Sequence, residues 1–274
     1  LIAHSKADVF FPVRFMLGVI GTVFIMLSTY YGGEYWDYKE DLISKNEDAS
    51  LLSGGSGVIQ LGVVSRKSAL YASLINLTLA IFTGIILQFV LFSGGLTIFL
   101  GGIGIIGGFF YSARPIRWVE RGLGEIWIAF CYGWLTVATG YYLQAGNFSP
   151  LVHWAAVPIG FSIFNVILIN EFLDYKSDKI TNKTNLVVRL GKRRSVYLYW
   201  LTSIGSWVGL ILGTLFCIPS TTLLLFSPIW SLSLFLVIFM TKGYWKNKKI
   251  LEIIAGLNIL YNLAISAILI VAFL

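Results

Sequence analysis

Residues 151–173 read LVHWAAVPIGFSIFNVILINEFL, an apolar run that leads directly into an acidic motif. A helix needs roughly 20 apolar residues to cross the hydrocarbon core of a bilayer, so a run of this length is typical of a membrane-spanning helix. The run also lacks the strict alternation of a membrane β-strand. It therefore predicts an α-helix inside a membrane.

The same pattern recurs along the chain, which is 57% hydrophobic and only 12% charged over its 274 residues. Such a composition is far from that of a soluble domain. Backbone groups in lipid must be satisfied within the chain, which favours a bundle of helices. We predict an all-α, polytopic bundle that forms one transmembrane domain over 1–274. The eight predicted helices lie at approximately 10–33, 68–93, 94–112, 123–144, 151–173, 195–217, 219–241 and 250–274.

Two kinds of site are excluded by what the sequence lacks. His4 and His153 have no second His or Cys at metal-ligand spacing, which excludes zinc chemistry. Cys131 and Cys217 each lie alone in an apolar run, and we interpret them as packing residues. The sequence carries no nucleic-acid-binding motif, so the expected surroundings are a lipid bilayer and no nucleic acid.

Basic residues are concentrated in alternate connections between the predicted helices. Four connections hold 18 of the 20 Lys and Arg residues, and the short connections between them hold none. The four therefore lie on one side of the membrane, which the positive-inside rule identifies as the cytoplasm. For most of these residues, orienting the chain and attracting anionic lipid is a sufficient role. The basic connections are 34–67, 112–122, 174–194 and 242–249, and the short ones lie near Ser93, Gly146 and Pro219.

Two closely similar acidic motifs occur where helices end on the basic side. GEYWDYKED at 33–41 and NEFLDYKSD at 170–178 are identical at five of nine positions. Both follow an apolar helix on the same side, so the repeat is parallel. Its simplest interpretation is a duplication, with halves of about 1–122 and 123–274.

The carboxylates of each motif are spaced i, i+3 and i+7, which places them on one face of a helix. Their mutual repulsion and the helix dipole make such a stripe unfavourable at a helix C-terminus unless a cation binds. A solvated acidic helix end is the alternative, and two copies argue against it. Carboxylates without His or Cys suit a hard cation such as Mg²⁺. The stripes are Glu34, Asp37 and Asp41, and Glu171, Asp174 and Asp178.

Nearby basic residues supply the positive charge that a diphosphate needs. Arg114 and Arg117 lie on one connection, and Lys183 and Arg189 lie on another. All four can bind phosphate oxygens, while Mg²⁺ shares its coordination shell with the same oxygens. Because the site lies at the mouth of an apolar bundle, the rest of the ligand can lie between helices or in lipid. An isoprenyl diphosphate has that shape.

The paired motifs resemble those of the UbiA superfamily of intramembrane prenyltransferases, which have the form N-D-x-x-D-x-x-x-D and a close variant. KTNLVVRLG at 183–191 is similar to the family's K-x-T-L-x-V-x-L-G. Three other stretches resemble the dihydroxynaphthoate prenyltransferases of menaquinone synthesis, and the resemblance covers most of the chain. These stretches are SGGSGVIQ at 53–60, YSARPIRWVERGLGE at 111–125 and GYY at 140–142.

The sequence departs from the family in two respects. Gly33 and Glu34 stand where the family usually has Asn and Asp, which bears on the inner metal ligand of the first motif. The family has nine helices where eight are visible here, so we expect a first helix before Leu1.

The resemblance implies a magnesium-dependent transfer of an isoprenyl group to an aromatic acceptor such as dihydroxynaphthoate, at a site facing the cytoplasm. Two Mg²⁺ ions would bridge the diphosphate as its bond to the allylic carbon breaks. The implied catalytic residues are Asp37, Asp41, Asp174 and Asp178; Glu34 and Asn170 complete the metal ligands; and Tyr111 joins Arg114, Arg117, Lys183 and Arg189 at the diphosphate.

Two other functions fit part of the pattern. Ion-coupled secondary transporters also carry acids at the interface of two repeats, but typically near the bilayer midplane and within broken helices. Here the acids lie at helix ends beside basic connections. A non-catalytic lipid-binding protein is the third interpretation, and magnesium-dependent release of diphosphate would separate an enzyme from both.

The long connection 34–67 is rich in glycine. Gly54, Gly55 and Gly57 would allow it to close over the site and exclude water. A flexible tether is the alternative interpretation.

Overall fold

A computed structural model describes residues 2–48 and 55–273, and within these ranges the chain is helical with no β-strand. The predicted all-α fold is confirmed. Two of the helices contain a π-helical segment, at Ile86–Val90 and Ala129–Leu135. The eleven helices of the described ranges are α1 (Ile2–Ala7), α2 (Pro12–Trp36), α3 (Tyr38–Asp48), α4 (Arg66–Val90), α5 (Thr97–Ser112), α6 (Gly124–Ala145), α7 (Pro150–Ile180), α8 (Leu186–Leu190), α9 (Lys192–Phe216), α10 (Thr221–Thr241) and α11 (Lys248–Ala272).

Seven of these helices are long and apolar enough to cross a membrane: α2, α4, α6, α7, α9, α10 and α11. The eighth predicted helix is also present, but α5 has only 16 residues, which corresponds to about 24 Å. It begins later than the apolar run at 94–112 because Gly94 has a φ of +120°, a conformation outside the helical region.

The first acidic motif is divided between two helices. Helix α2 ends at Trp36, and Asp37 follows as its C-cap, with its N–H donating to the Gly33 carbonyl. Helix α3 begins at the next residue. The predicted long connection is therefore partly helical, because the polar sequence of α3 cannot continue the apolar helix through the membrane but can form a separate helix at its surface. Gly55 and Gly57 follow with positive φ, whereas Gly54 lies outside the described residues.

The second acidic motif lies within one continuous helix. Helix α7 extends to Ile180, beyond the apolar run that predicted it. It packs against α6, α9 and α11, and the side chains of Leu168, Ile169 and Phe172 are completely buried. This burial fixes the helix that presents Asn170 and Asp174, so the second motif has a rigid support.

Contacts between connections place the basic side at one end of the bundle. The Arg117 guanidinium donates to Asp37 Oδ1 at 2.9 Å, which joins the connections 112–122 and 34–67. The Thr184 hydroxyl donates to the Glu120 carbonyl, which joins the connections before α6 and after α7. Both acidic motifs lie at this end. The division into duplicated halves of about 1–122 and 123–274 stays a prediction.

Candidate active site

A cavity of about 960 Å³ lies between α2, α5, α6, α7 and α11 and reaches both acidic motifs. Along α2 its lining runs from Thr22 to Asp37, about 22 Å of helix. The α5 wall contains Gly101, Gly104 and Gly108, and a methyl group at Gly108 would collide with the Thr29 side chain. Glycine at position 108 therefore lets α5 pack closely on α2, whereas a methyl group at Gly101 would meet open space.

Most of the remaining wall is apolar, with aromatic rings near the acidic end. The lining includes Tyr30, Trp127 and Tyr132, and the two tyrosines are hydrogen bonded to each other. Trp127 stacks on Trp118 with ring centroids 5.1 Å apart. Sequence reasoning singled out none of these residues, because a chain with so many aromatic residues gives no signal for which of them face a cavity. The π-helical segment Ala129–Leu135 carries Tyr132 into the lining, and such segments are frequent at functional sites.

Asp37 has two partners outside its own motif. Its Oδ2 accepts from the Ser112 hydroxyl at 2.5 Å, and its Oδ1 accepts from the Arg117 guanidinium at 2.9 Å. Arg117 also pairs with Glu40 at 2.7 Å and with Glu120 at 3.1 Å. Burial opposes the charge on Arg117, but the carboxylates of Asp37, Glu40 and Glu120 raise its pKa above the ordinary value. The guanidinium therefore orients Asp37.

Two of these partners were missed by sequence reasoning. Glu40 is an additional acid within the first motif, but the i, i+3, i+7 spacing leaves it out. Ser112 is one hydroxyl among many, and nothing in the sequence marks it. Arg117 was predicted to bind the diphosphate, and that role stays a prediction, because here three carboxylates engage its side chain.

Glu34 has a buried oxygen without a hydrogen-bond donor, and Asp41 lies among other carboxylates. Glu34 Oε1 accepts from the Ser56 backbone N–H at 2.6 Å, while Glu34 Oε2 is buried and receives no hydrogen bond. Burial raises the pKa of Asp41 to about 7, and repulsion from Asp37 and Glu34 adds to the rise. Asp41 also lies so close to Gly55 that any side chain at Gly55 would collide with it. A cation at this point would relieve the repulsion.

In the second motif, Asp178 is buried and well partnered. Its Oδ2 accepts from Asn185 Nδ2 at 2.7 Å, and its Oδ1 lies 3.5 Å from the Lys183 ammonium. Burial opposes the charge on Lys183, but Asp178, followed by Asp37, raises the pKa of Lys183 above its ordinary value. Asp174 acts on Lys183 in the same direction. Lys183 therefore attracts carboxylates of both motifs.

Asn170 and Glu171 point in different directions. Asn170 lines the cavity, and its Oδ1 is buried without a hydrogen-bond donor. Glu171, which the spacing grouped with Asp174 and Asp178, lies away from the cavity and faces the Glu125 carboxyl. Of the second motif, Asn170 therefore lines the cavity, whereas Glu171, Asp174 and Asp178 do not.

The remaining predicted residues differ in position. Tyr111 lines the cavity. Arg114 and Arg189 are exposed and do not line it, and Arg189 donates to the Thr184 carbonyl at 2.7 Å. These two arginines lie on the connections that flank the site.

The side chains at this end supply some, but not all, of the oxygen ligands that a hard cation needs. Among residues 2–48 and 55–273, no three Asp, Glu, His or Cys side chains converge closely enough to hold an ion by themselves. Among the residues that line the cavity, the buried oxygens without a donor are Glu34 Oε2 and Asn170 Oδ1, and the crowded carboxylate is Asp41. Mg²⁺ typically takes one or two carboxylates and completes its shell with water and substrate phosphates. A few protein oxygens beside a cavity that can hold the phosphates match this mode of Mg²⁺ coordination.

Comparison with known proteins gives one family. The pattern of the UbiA prenyltransferase family matches residues 2–253. The 1,4-dihydroxy-2-naphthoate octaprenyltransferase of Escherichia coli strain K12 is 30% identical over 219 residues, which are 77% of this chain and 68% of that protein.

Two solved structures share the fold. A UbiA homolog from Aeropyrum pernix K1 aligns with a TM-score of 0.70 at 13% identity, over 98% of this chain and 93% of that one. A UbiA homolog from Archaeoglobus fulgidus, bound to DMAPP and Mg²⁺, aligns with a TM-score of 0.64 at 17% identity, over 95% of this chain and 89% of that one. Both likenesses extend over nearly the whole bundle.

Proposed function

The chain belongs to the UbiA prenyltransferase family and is a multi-pass integral membrane enzyme, and we propose that it transfers an isoprenyl group from a prenyl diphosphate to an aromatic acceptor in a magnesium-dependent reaction. One observation supports this most strongly. Two acidic motifs, far apart in the sequence, lie at one end of a mostly apolar cavity, and Lys183 pairs with Asp178 of one motif and attracts Asp37 of the other.

The proposed metal ligands are the oxygens that the two motifs present. Two Mg²⁺ ions would supply Lewis-acid stabilisation of the diphosphate leaving group. Lys183 would bind diphosphate oxygens, and Arg117 would keep Asp37 in position. Tyr111 would form the α5 side of the site. The proposed ligands are Glu34, Asp37, Asp41, Asn170, Asp174 and Asp178, and Arg114 and Arg189 complete the proposed diphosphate set.

The cavity wall has the chemistry for the second half of the reaction. Breaking the carbon–oxygen bond leaves an allylic carbocation, which aromatic faces such as those of Tyr30 and Tyr132 stabilise. The apolar lining excludes the water that would otherwise capture the cation. An electron-rich ring carbon then forms the new bond to the allylic carbon, and the ring regains its aromaticity by losing a proton, or carbon dioxide where that carbon carries a carboxylate. The Archaeoglobus fulgidus homolog binds DMAPP and Mg²⁺, and the Escherichia coli relative is named for a naphthoate acceptor, so a dihydroxynaphthoate-like acceptor is the proposed substrate class.

The test is to purify the protein and incubate it with a panel of prenyl diphosphates and aromatic acceptors, with and without Mg²⁺. We expect diphosphate release and a prenylated naphthoate by mass spectrometry only when Mg²⁺ is present. Turnover that persists after metal removal would disprove magnesium dependence. Turnover on other phenolic acceptors alone would disprove the naphthoate assignment.

We further propose that the site faces the cytoplasm, because the basic connections lie at its end of the bundle. Single cysteines at Lys179 and Asn247, both exposed, should be labelled by an impermeant reagent from the cytoplasmic side only. A cysteine at exposed Asn147 should be labelled only from the other side. Cys131 and Cys217 are replaced first. Labelling of Lys179→Cys from outside would overturn the orientation.

A further inference from the structure

We propose that Glu125 and Glu171 are positioning residues for the prenyl diphosphate, acting through Lys183. Neither side chain lines the cavity, and both accept hydrogen bonds from the backbone of α8. Both hold the start of α8 and thereby the segment that carries Lys183. This inference rests on the proposed function, in which Lys183 binds the diphosphate.

Two backbone hydrogen bonds connect these acids to α8. Glu125, which is 1% exposed, accepts from the Leu186 N–H at 2.6 Å through Oε1. Glu171 accepts from the Val187 N–H at 3.4 Å through Oε2. The two carboxyls come from different helices, α6 and α7, and lie within hydrogen-bonding reach of each other. The two carboxyls therefore hold the first two backbone N–H groups of α8.

The segment just before α8 reaches the acidic motif. Asn185 caps α8 by accepting from the Val188 N–H at 2.9 Å, and the same side chain donates to Asp178 at 2.7 Å. The Lys183 N–H donates to the Asp178 carbonyl at 2.8 Å, and its ammonium lies 3.5 Å from the Asp178 carboxylate. A displacement of α8 would therefore move Asn185 and Lys183 together.

A purely structural role does not explain this arrangement well. Burying two carboxyls side by side is costly, and apolar residues of similar volume commonly replace buried polar groups with no loss of stability. Apolar side chains cannot accept hydrogen bonds from the Leu186 and Val187 N–H groups. These two hydrogen bonds fix the position and direction of α8. The Thr184 hydroxyl also donates to the Glu120 carbonyl, but Thr184 is exposed, so this hydrogen bond constrains the segment before α8 less. The buried pair therefore sets the position of Lys183.

Steady-state kinetics of Glu125→Ala, Glu125→Gln and Lys183→Ala tests this inference. E125A removes the acceptor of the Leu186 N–H hydrogen bond, so we expect KM for the prenyl diphosphate to rise about tenfold with little change in the acceptor KM. E125Q should recover most of the loss, since its Oε1 still accepts from Leu186 and its amide can donate to Glu171. In a K183A background, E125A should add no further effect, because both act through the same ammonium. Lys179→Ala, which removes an exposed lysine of α7, is the matched control.

A second variant keeps the test valid if E125A fails to fold. Leu186→Pro removes the backbone donor and leaves Glu125 in place; proline is tolerated at the first position of a helix, and Asn185 already has the extended conformation that precedes proline. L186P should reproduce the selective rise in KM for the prenyl diphosphate.

The outcomes separate the inference from its premise. If K183A leaves the prenyl diphosphate KM unchanged, the proposed role of Lys183 is wrong and the inference is overturned with it. If K183A raises that KM but E125A and L186P do not, or if their effects add to that of K183A, only the positioning role is overturned. Failure of E125Q to recover the affinity would also contradict it.

Discussion

The two acidic motifs share five of nine residues but obtain their partners in different ways. The first is divided between α2 and α3 and depends on a distant connection, whose Arg117 reaches Asp37 across 80 positions of sequence. The second lies in one continuous helix, and the segment immediately after it supplies Lys183 and Asn185 to Asp178. Similar acidic sequences therefore acquire different electrostatics from the elements that pack on them.

This difference leaves different oxygens available for a cation. In the first motif Asp37 is engaged, while Glu34 Oε2 has no partner and Asp41 is crowded by other carboxylates. In the second motif Asp178 is engaged, and the buried oxygen without a donor is that of Asn170. The site is therefore asymmetric, and corresponding substitutions in the two motifs should have different effects on stability even where their effects on turnover agree.

The largest expected effect is on turnover, where the motifs should behave alike. Asp37→Asn and Asp174→Asn should each lower kcat/KM by about 10³-fold, because each removes a charge that holds the metal–diphosphate complex. The measurement is product formation at saturating Mg²⁺. Asp8→Asn is the control, since Asp8 is exposed and does not line the cavity. If D37N has a near-normal rate while D174N is inactive, only the second motif binds metal.

The next effect should be confined to the first motif. Arg117→Ala should lower the free energy of unfolding by about 3 kcal/mol, because it leaves Asp37, Glu40 and Glu120 together without their cation. Arg117→Lys should recover only part of this, since an ammonium cannot reproduce the guanidinium fork. Thermal unfolding in detergent measures both, with exposed Arg194→Ala as the control. If R117A and R194A are equally stable, the ion pairs contribute nothing measurable to the fold.

The smallest expected effect has the same sign in the two motifs but a different size. The pKa of Asp41, raised to about 7, lies above the value of about 3.9 for an unfolded chain, so the folded protein binds the proton more tightly. Ionisation of Asp41 therefore costs stability progressively as pH rises from about 4 to 7. Without metal, Asp41→Asn should raise Tm at pH 8 by about 2–4 °C, with no difference from the parent protein near pH 4.

Asp178→Asn should also raise Tm at pH 8, but by less, because burial raises the pKa of Asp178 only to about 6 while Lys183 opposes the rise. Thermal unfolding in the presence of a chelator measures both variants. A decrease in Tm for D41N would show that Asp41 has a stabilising partner in the absence of metal.

The apolar runs predicted seven of the long helices and the existence of the short one, because a membrane-spanning helix needs about 20 consecutive apolar residues and leaves a continuous signal. The boundaries at the site were harder to predict. The break at Asp37 and the extension of α7 to Ile180 both occur in polar sequence, where hydrophobic periodicity gives no guidance.

The sequence by itself determined the helical membrane fold, the family and the identity of the acidic and basic residues, because length, hydropathy and local motifs are properties of neighbouring residues. Only the tertiary structure decided that Arg117 binds Asp37, that Ser112 donates to the same carboxylate, and that Glu171 turns to Glu125 and away from the cavity. These pairings join residues 46 or more positions apart whose approach depends on how the helices pack. Helix spacing restricts the direction of a side chain, but the element packed opposite decides its partner.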